Sequence, residues 1–124
     1  MKPAWIVAFH PAFAVEFNAL PAALQIEMFA HARLLEHFGP SLGRPQVDTL
    51  KGSRHANMKE LRFAWRKEVW RVAFAFDPAR DAILLTAGDK AGADQKRFYK
   101  SLIAVADGRF DEHVQSLRPK PRRT

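Results

Sequence analysis

A carboxylate and two guanidiniums occur in two neighbouring segments whose apolar residues alternate along the chain. Glu60 and Arg62 lie in Met58–Trp65. Arg71 lies in Val69–Phe76. Because successive side chains of a β-strand point to opposite faces, all three charged groups are expected on one face of two adjacent strands. The residues that share this face are small, and the pattern therefore predicts a shallow, uncrowded floor. They are Ala64, Ala73 and Ala75.

Further cations and a tyrosine flank these segments. Lys90 follows the next apolar segment directly, and Tyr99 lies in the helical segment after it. Because these elements meet at one end of the predicted sheet, several cations are expected to converge there. The other candidates are Lys51, Arg54, His55 and Lys59 where the preceding loop enters the first strand, and Lys96, Arg97 and Lys100 near the start of the helix.

These residue types suit the recognition or cleavage of a phosphodiester. Arginine contacts phosphate oxygens with several donors, lysine supplies a point charge, and a phenol ring can stack on a base. RNA cleavage without a metal needs a base near the 2′-hydroxyl, cations around the phosphorane and an acid for the leaving oxygen. Glu60, His55 or a lysine with a lowered pKa could be that base. The alternative is a solvated basic face that only keeps the protein soluble.

No metal site and no cofactor are expected. The remaining histidines lack an HExxH-type or carboxylate–histidine spacing on one helix. Asp111, Glu112 and His113 are contiguous, so their side chains should splay around a helix. The absence of cysteine excludes Cys-ligated zinc, thiol catalysis and a disulfide scaffold. The histidines outside the basic cluster are His10, His31, His37 and His113.

Length and charge predict one small basic domain. The chain has 124 residues, a formal net charge of +7 and no apolar run near the roughly 18 residues of a membrane span. A single domain is expected over residues 1–117, with a basic, disordered tail at 118–124. A cytoplasmic location without a membrane partner is expected. Residues 44–71 hold eight basic against three acidic residues, which favours a polyanionic partner.

The elements that must position these residues can be predicted from periodicity and from turn residues. An N-terminal strand and two helices should pack on an antiparallel three-stranded meander with C-terminal helices, which is an α+β fold. Residues 40–57 are expected to be a long connection. In the second helix, Leu24, Met28, Leu35 and Phe38 should form the buried face, widened by Ile26 and Phe29. The expected elements are a strand at 4–9, helices at 12–20 and 21–38, strands at 58–65, 69–76 and 82–87, a helix from the cap Asp94 to Ala106, a break at Asp107 and Gly108, and a last helix at 110–117.

Five blocks of the sequence, in order, resemble the phage-derived, HigB-like branch of the RelE/ParE toxin superfamily, and the resemblance covers about residues 4–117. The blocks are Leu42–Arg54, Met58–Arg62, Trp70–Pro78, Gly88–Lys90 and Lys96–Tyr99.

The resemblance implies the toxin of a type II toxin–antitoxin pair. Such a toxin is typically a metal-independent, ribosome-dependent mRNA endonuclease, and a helix-turn-helix antitoxin neutralises it. The resemblance also implies the RelE fold, with helices on one side of a mostly antiparallel sheet. The motif positions fall on Glu60, Arg62, Arg71, Lys90 and Tyr99. RelE-like enzymes often have lysine where this chain has Glu60, which leaves the general base unassigned.

Two other functions fit the same residues. ParE-like toxins of this superfamily inhibit DNA gyrase without cutting RNA, so the fold alone does not fix the activity. A basic accessory protein that only binds nucleic acid would also show this charge pattern.

Overall fold

A computed structural model describes residues 4–89 and 94–119, which form five β-strands, three α-helices and one short 3-10 helix. The expected α+β class is confirmed. The strands are β1 Val7–Phe9, β2 Val47–Thr49, β3 Lys59–Trp65, β4 Glu68–Phe76 and β5 Ala82–Asp89, and the helices are α1 Pro11–Asn18, α2 Ala22–Phe38, the 3-10 helix Gly39–Ser41 and α3 Gln95–Ser116.

The strands form one mixed sheet in the order β1-β5-β4-β3-β2. The predicted meander of β3, β4 and β5 is confirmed, and β1 pairs with β5 in parallel. The predicted connection over residues 40–57 is wrong in one part, because it contains β2, which pairs antiparallel with β3. Val47 lies opposite Leu61 and is buried with it, and this burial explains a strand in a segment without periodicity.

Helices cover both faces of the sheet. One core lies under α1 and α2, and it includes Val72 and Phe74 of β4. The other core lies under α3 and includes Ala73 and Ala75 of the same strand. The expectation of helices on one side only is therefore wrong. The small residues do not leave an open floor at these two positions, because both alanines are fully buried where α3 packs against the strand.

The C-terminal helix is continuous through the two residues that were expected to interrupt it. Asp107 is buried inside α3, where its carboxylate accepts hydrogen bonds from the Ser53 hydroxyl and from the Arg54 backbone N–H at 3.2 Å. The predicted break at Asp107 and Gly108 is wrong because these tertiary partners compensate for two residues with low helix propensity. The predicted cap is confirmed, since the Asp94 carboxylate accepts from the Lys96 backbone N–H at 3.0 Å.

The buried face of α2 is narrower than its composition indicates. Leu24, Met28 and Leu35 are buried as expected. Ile26 is 70% exposed and Phe38 is 53% exposed, so their predicted burial is wrong. Two residues along a helix correspond to about 200° of rotation, which turns Ile26 away from the face of Leu24. No helix of the described residues is long and apolar enough to span a bilayer.

Gly108 offers a direct test of the continuous helix. No atom outside its own helix and neighbours lies within 4 Å of a Cβ added at this position. We expect Gly108→Ala to raise the free energy of unfolding by about 0.5–1 kcal/mol, because alanine loses less backbone entropy in a helix interior. Urea denaturation measures this change, and a destabilised variant would contradict the continuous helix.

Gly39 ends α2 with a backbone conformation that other residues rarely adopt, with φ +53° and ψ −139°. A Cβ there would lie 2.3 Å from the indole ring of Trp5. We expect Gly39→Ala to lower the free energy of unfolding by about 2 kcal/mol or more. Gly43→Ala is the matched control, because a Cβ at Gly43 meets nothing within 4 Å. Equal urea midpoints for the two variants would refute the clash.

Candidate nucleic-acid interface

The pairing of β3 with β4 brings two guanidiniums together on the face of the sheet that α3 covers. Arg62 and Arg71 are directly opposite each other, and Glu60 is opposite Ala73 on the same face. Like charges on opposed residues repel, so such a pair needs a nearby anion. Arg62 Nε lies 3.7 Å from Glu60 Oε1, so the Glu60 carboxylate is the anion beside this pair.

Tyr99 of α3 completes this cluster. Its hydroxyl donates a hydrogen bond to Glu60 Oε1 at 3.1 Å and accepts one from Arg71 Nε at 2.7 Å. Arg71 Nη1 also donates to the Val69 carbonyl at 3.0 Å. A single phenol therefore connects the helix to the carboxylate of β3 and the guanidinium of β4. The structure brings together four of the five predicted catalytic residues, and the fifth, Lys90, lies outside the described residues.

Burial sets the electrostatics of the cluster. Glu60 is only 4% exposed and Arg71 only 9% exposed. Burial raises the pKa of Glu60, while the hydrogen bond from Tyr99 and the charges of Arg62 and Arg71 oppose this rise. Burial and the neighbouring Glu60 carboxylate also raise the pKa of Tyr99. Glu60 Oε2 is buried and has no hydrogen-bond partner among residues 4–89 and 94–119, which is costly for a carboxylate oxygen.

A cleft of about 400 Å³ opens beside this carboxylate. We call it the Glu60 cleft. Its walls come from β2 with the residues that follow it, from β3 and from the first turns of α3. Asp48 brings a second carboxylate, whose pKa is lowered by the backbone N–H of Thr49 and by Arg44. The polar and charged lining consists of Asp48, Thr49, Lys51, Glu60, Arg62, Gln95 and Tyr99.

The other predicted RNA-binding residues divide between several places. Lys51 lines the Glu60 cleft, and Lys96 lines an adjacent cleft across Tyr99. Arg97 lines a third cleft between α3 and β5. Lys59 is the first residue of β3, and alternation places it on the opposite face from Glu60. Its expected convergence with the other cations is therefore wrong.

Arg54 and His55 are engaged by the C-terminal half of α3. Both side chains pair with the Asp111 carboxylate, with a distance of 2.8 Å from His55 Nε2 to Oδ1. The His55 ring also packs edge-on against Phe110, with 4.9 Å between centroids. His55 does not line the Glu60 cleft, and Arg54 borders only the cleft across Tyr99. Of the candidate bases named from the sequence, Glu60 and a lysine, Lys51, line the Glu60 cleft, and His55 does not.

Three residues that matter for the site were not predicted from the sequence. Asp107 anchors the turn that carries Lys51, but its partners are more than 50 residues away along the chain. Asp48 and Gln95 line the Glu60 cleft from segments that were interpreted as a connection and a helix start. Only the pairing of β2 with β3, which periodicity did not reveal, could have placed Asp48 there.

Among the described residues, no group of three or more histidines and acidic side chains could hold a metal ion. The contiguous Asp111, Glu112 and His113 contact different parts of the protein instead. His113 Nε2 lies 2.7 Å from Asp77 Oδ2, and Glu112 lies 3.7 Å from His10. Through these contacts, the three side chains connect α3 to residues outside the helix.

The mixed sheet with helices on both faces is an α+β fold of the RelE-like kind. Residues 15–111 match the family described as "Phage derived protein Gp49-like (DUF891)". The chain therefore belongs to this Gp49-like family of phage-derived proteins, and within it to the HigB-like branch that the relatives below define.

Two proteins of Mycobacterium tuberculosis (strain ATCC 25618 / H37Rv) are similar to this chain. The one named "Putative toxin HigB2" is 50% identical over 101 residues, which cover 77% of this chain and 49% of that protein. The one named "Putative toxin HigB3" is 53% identical over 83 residues, which cover 67% of this chain and 70% of that protein. The chain thus spans about half the length of the first relative.

The raised pKa of Glu60 predicts a pH-dependent stability. Glu60 is protonated in both the folded and unfolded states below its ordinary pKa of 4.5, and its favourable contribution is lost as the pH rises through the folded pKa. Because glutamine does not ionise, Glu60→Gln removes this pH-dependent loss of stability. We expect its free energy of unfolding to increase relative to the wild type from about pH 4 to about pH 8, measured by urea denaturation.

Asp48→Asn is the control with the opposite sign. The lowered pKa of Asp48 means that its contribution is present above its ordinary pKa and lost as the pH falls. The stability of Asp48→Asn should therefore decrease relative to the wild type over the same rise in pH. If the free energy of unfolding of Glu60→Gln relative to the wild type does not change with pH, the burial of an ionisable carboxyl at this position is contradicted.

Proposed function

We propose that this protein is the toxin of a type II toxin–antitoxin system and acts in the cytoplasm as a metal-independent, ribosome-dependent mRNA endonuclease. The names of its two relatives support the toxin assignment. The Glu60 cleft, with its carboxylate and cations, supports a phosphodiester substrate. The proposed partners are mRNA on the ribosome and a cognate helix-turn-helix antitoxin, and the proposed reaction uses no cofactor.

The observation that carries the nuclease proposal is the unpaired Glu60 Oε2. This oxygen is a buried acceptor on a side chain that lines the Glu60 cleft with Lys51 and Arg62, and burial raises the pKa of the Glu60 carboxyl. A ribose 2′-hydroxyl is a donor of the kind that this oxygen lacks. General-base efficiency is highest when the pKa of the base approaches the working pH, so burial makes Glu60 a better proton acceptor.

The proposed step follows from these positions. Glu60 Oε2 accepts the proton of the 2′-hydroxyl as the 2′-oxygen forms a bond to phosphorus. The bond from phosphorus to the 5′-oxygen breaks, and the leaving oxygen takes a proton from water. Arg62, whose side chain is 30% exposed at the cleft, stabilises the negative charge on the phosphorane. Lys51 provides a second positive charge at the cleft wall.

Arg71 and Tyr99 have a different role in this proposal from that of Arg62. Arg71 does not line the Glu60 cleft and already donates to the Tyr99 hydroxyl and to the Val69 carbonyl, so we assign it a positioning role. Tyr99 holds the Oε1 atom of Glu60, which leaves Oε2 for the substrate.

The test maps the 5′ ends of cellular transcripts after the toxin is induced. We expect Glu60→Gln and Arg62→Ala each to lose about 2 kcal/mol or more of transition-state stabilisation, which is roughly a 30-fold lower cleavage rate. Arg66→Ala is the matched control, because Arg66 lies in the turn after β3 and stacks on Trp65 away from the cluster. The control should cut at the wild-type rate.

Two results would overturn the nuclease assignment. The first is growth arrest with intact transcripts and altered DNA supercoiling, which would identify a gyrase-inhibiting toxin of the ParE kind. The second is harmless expression with strongly salt-dependent nucleic-acid binding, which would indicate an accessory protein. Equal cleavage by Glu60→Gln and the wild type would exclude Glu60 as the base even if the protein cuts RNA.

A further inference from the structure

A second cleft lies on the other side of Tyr99 from the Glu60 cleft. Its volume is about 560 Å³. We call it the Lys96 cleft. Lys51 and Tyr99 line both clefts, so the two clefts adjoin at these side chains. The remaining walls come from the turn at Gly52 and from one face of α3, including Lys96, Lys100 and Ile103.

The Lys96 cleft carries an uncompensated positive charge. Lys96 and Lys100 are one turn apart on α3, where like charges destabilise a helix. Neither these two lysines nor Lys51 forms an ion pair with a carboxylate within the described part of the chain. Asp107 also lines this cleft, but its carboxylate already accepts hydrogen bonds from the Ser53 hydroxyl and from the Arg54 backbone N–H. An anion in the cleft would therefore lie near three ammonium groups that form no ion pair with a carboxylate of the described residues.

The cleft also has an apolar part, which is formed by residues other than these lysines. Gly52 adopts φ +100°, and a Cβ there would approach the Ile103 side chain at 3.7 Å, so the absence of a side chain leaves this surface open. Ala104 adds a small apolar side chain. The turn is held by the contacts of Ser53 and Arg54 with α3 and is therefore fixed before a ligand binds. Ammonium groups beside an apolar surface suit a nucleotide, which joins an anionic phosphate to an apolar base face.

We propose that the Lys96 cleft is a second nucleotide subsite, which holds the nucleotide next to the scissile linkage through its phosphate and its base. This inference rests on the proposed nuclease function. RNA is favoured over an acidic peptide because the two clefts adjoin at Lys51 and Tyr99, so a strand whose phosphate lies at Arg62 would reach Lys96 on the other side of Tyr99. Lys51 lies between the two subsites and contacts the backbone that joins them.

The experiment measures RNA binding separately from RNA cleavage. The probe is a single-stranded RNA of twelve nucleotides, uniformly 2′-O-methylated so that it cannot be cut, and its affinity for the full-length chain is followed by fluorescence polarisation over a range of salt concentrations. The test variant is Lys96→Gln combined with Lys100→Gln. The matched control is Arg33→Gln combined with Arg118→Gln, which removes two exposed charges from α2 and from the segment after α3.

We expect the test variant to bind the RNA roughly tenfold more weakly and to show a shallower salt dependence. Each phosphate contact to a single strand contributes about 0.7 to the slope of log affinity against log salt, so two lost contacts should reduce the slope by about 1.4. The control should match the wild type. Shortening the RNA by one nucleotide at a time should reduce wild-type affinity at the step that vacates the Lys96 cleft, and the test variant should not show this step.

The outcomes separate this subsite from the nuclease proposal. If the protein cuts no transcripts but the lysine variant shows the shallower slope, the nuclease assignment fails, and nucleotide binding by the Lys96 cleft stands without a scissile linkage beside it. If transcripts are cut and the lysine variant binds RNA as the control does, the subsite is overturned and the nuclease assignment stands. The subsite is also overturned if the lysines are needed to bind an acidic antitoxin peptide but not to bind RNA.

Discussion

The hydroxyl group of Tyr99 is the contact on which the candidate site depends. It donates to Glu60 and accepts from Arg71, so it determines where the carboxylate of β3 and the guanidinium of β4 lie relative to α3. Without the carboxylate, the directly opposed Arg62 and Arg71 would repel each other across the two strands. Because Glu60 and Arg71 are buried, these interactions are stronger than they would be in water, and the cost of leaving either group unpaired is also greater.

The position of Tyr99 depends in turn on contacts at the far end of α3. Arg109 forms two hydrogen bonds with the Glu16 carboxylate, at 2.8 and 2.6 Å, and a third with the Leu85 carbonyl. His113 contacts the buried Asp77, and Asp107 holds the turn that follows β2. A rigid helix transmits this anchoring along its length. The charged residues of the C-terminal half of α3 therefore support the cluster although they do not touch it.

The faces of the central strands could be predicted from the sequence, because alternation is a local property. It correctly placed Glu60, Arg62 and Arg71 together and Leu61 with Phe63 on the other face. Tertiary contacts could not be predicted in the same way. Ala73 and Ala75 were interpreted as an open floor, whereas their small size lets α3 pack directly on the strand. The break expected at Asp107 was wrong because its hydrogen-bond partners come from a distant turn.

The proposed chemistry and the electrostatics of the cluster reinforce each other. In the free protein, burial raises the pKa of Glu60, and the charges of Arg62 and Arg71 limit that rise. A phosphate group bound at Arg62 would neutralise part of this positive charge, and its own negative charge would further disfavour the ionised carboxylate. The proton affinity of Glu60 would therefore increase when the substrate is in place. A phosphodiester in the cleft would thus make the buried Glu60 carboxylate a stronger proton acceptor than it is in the free protein.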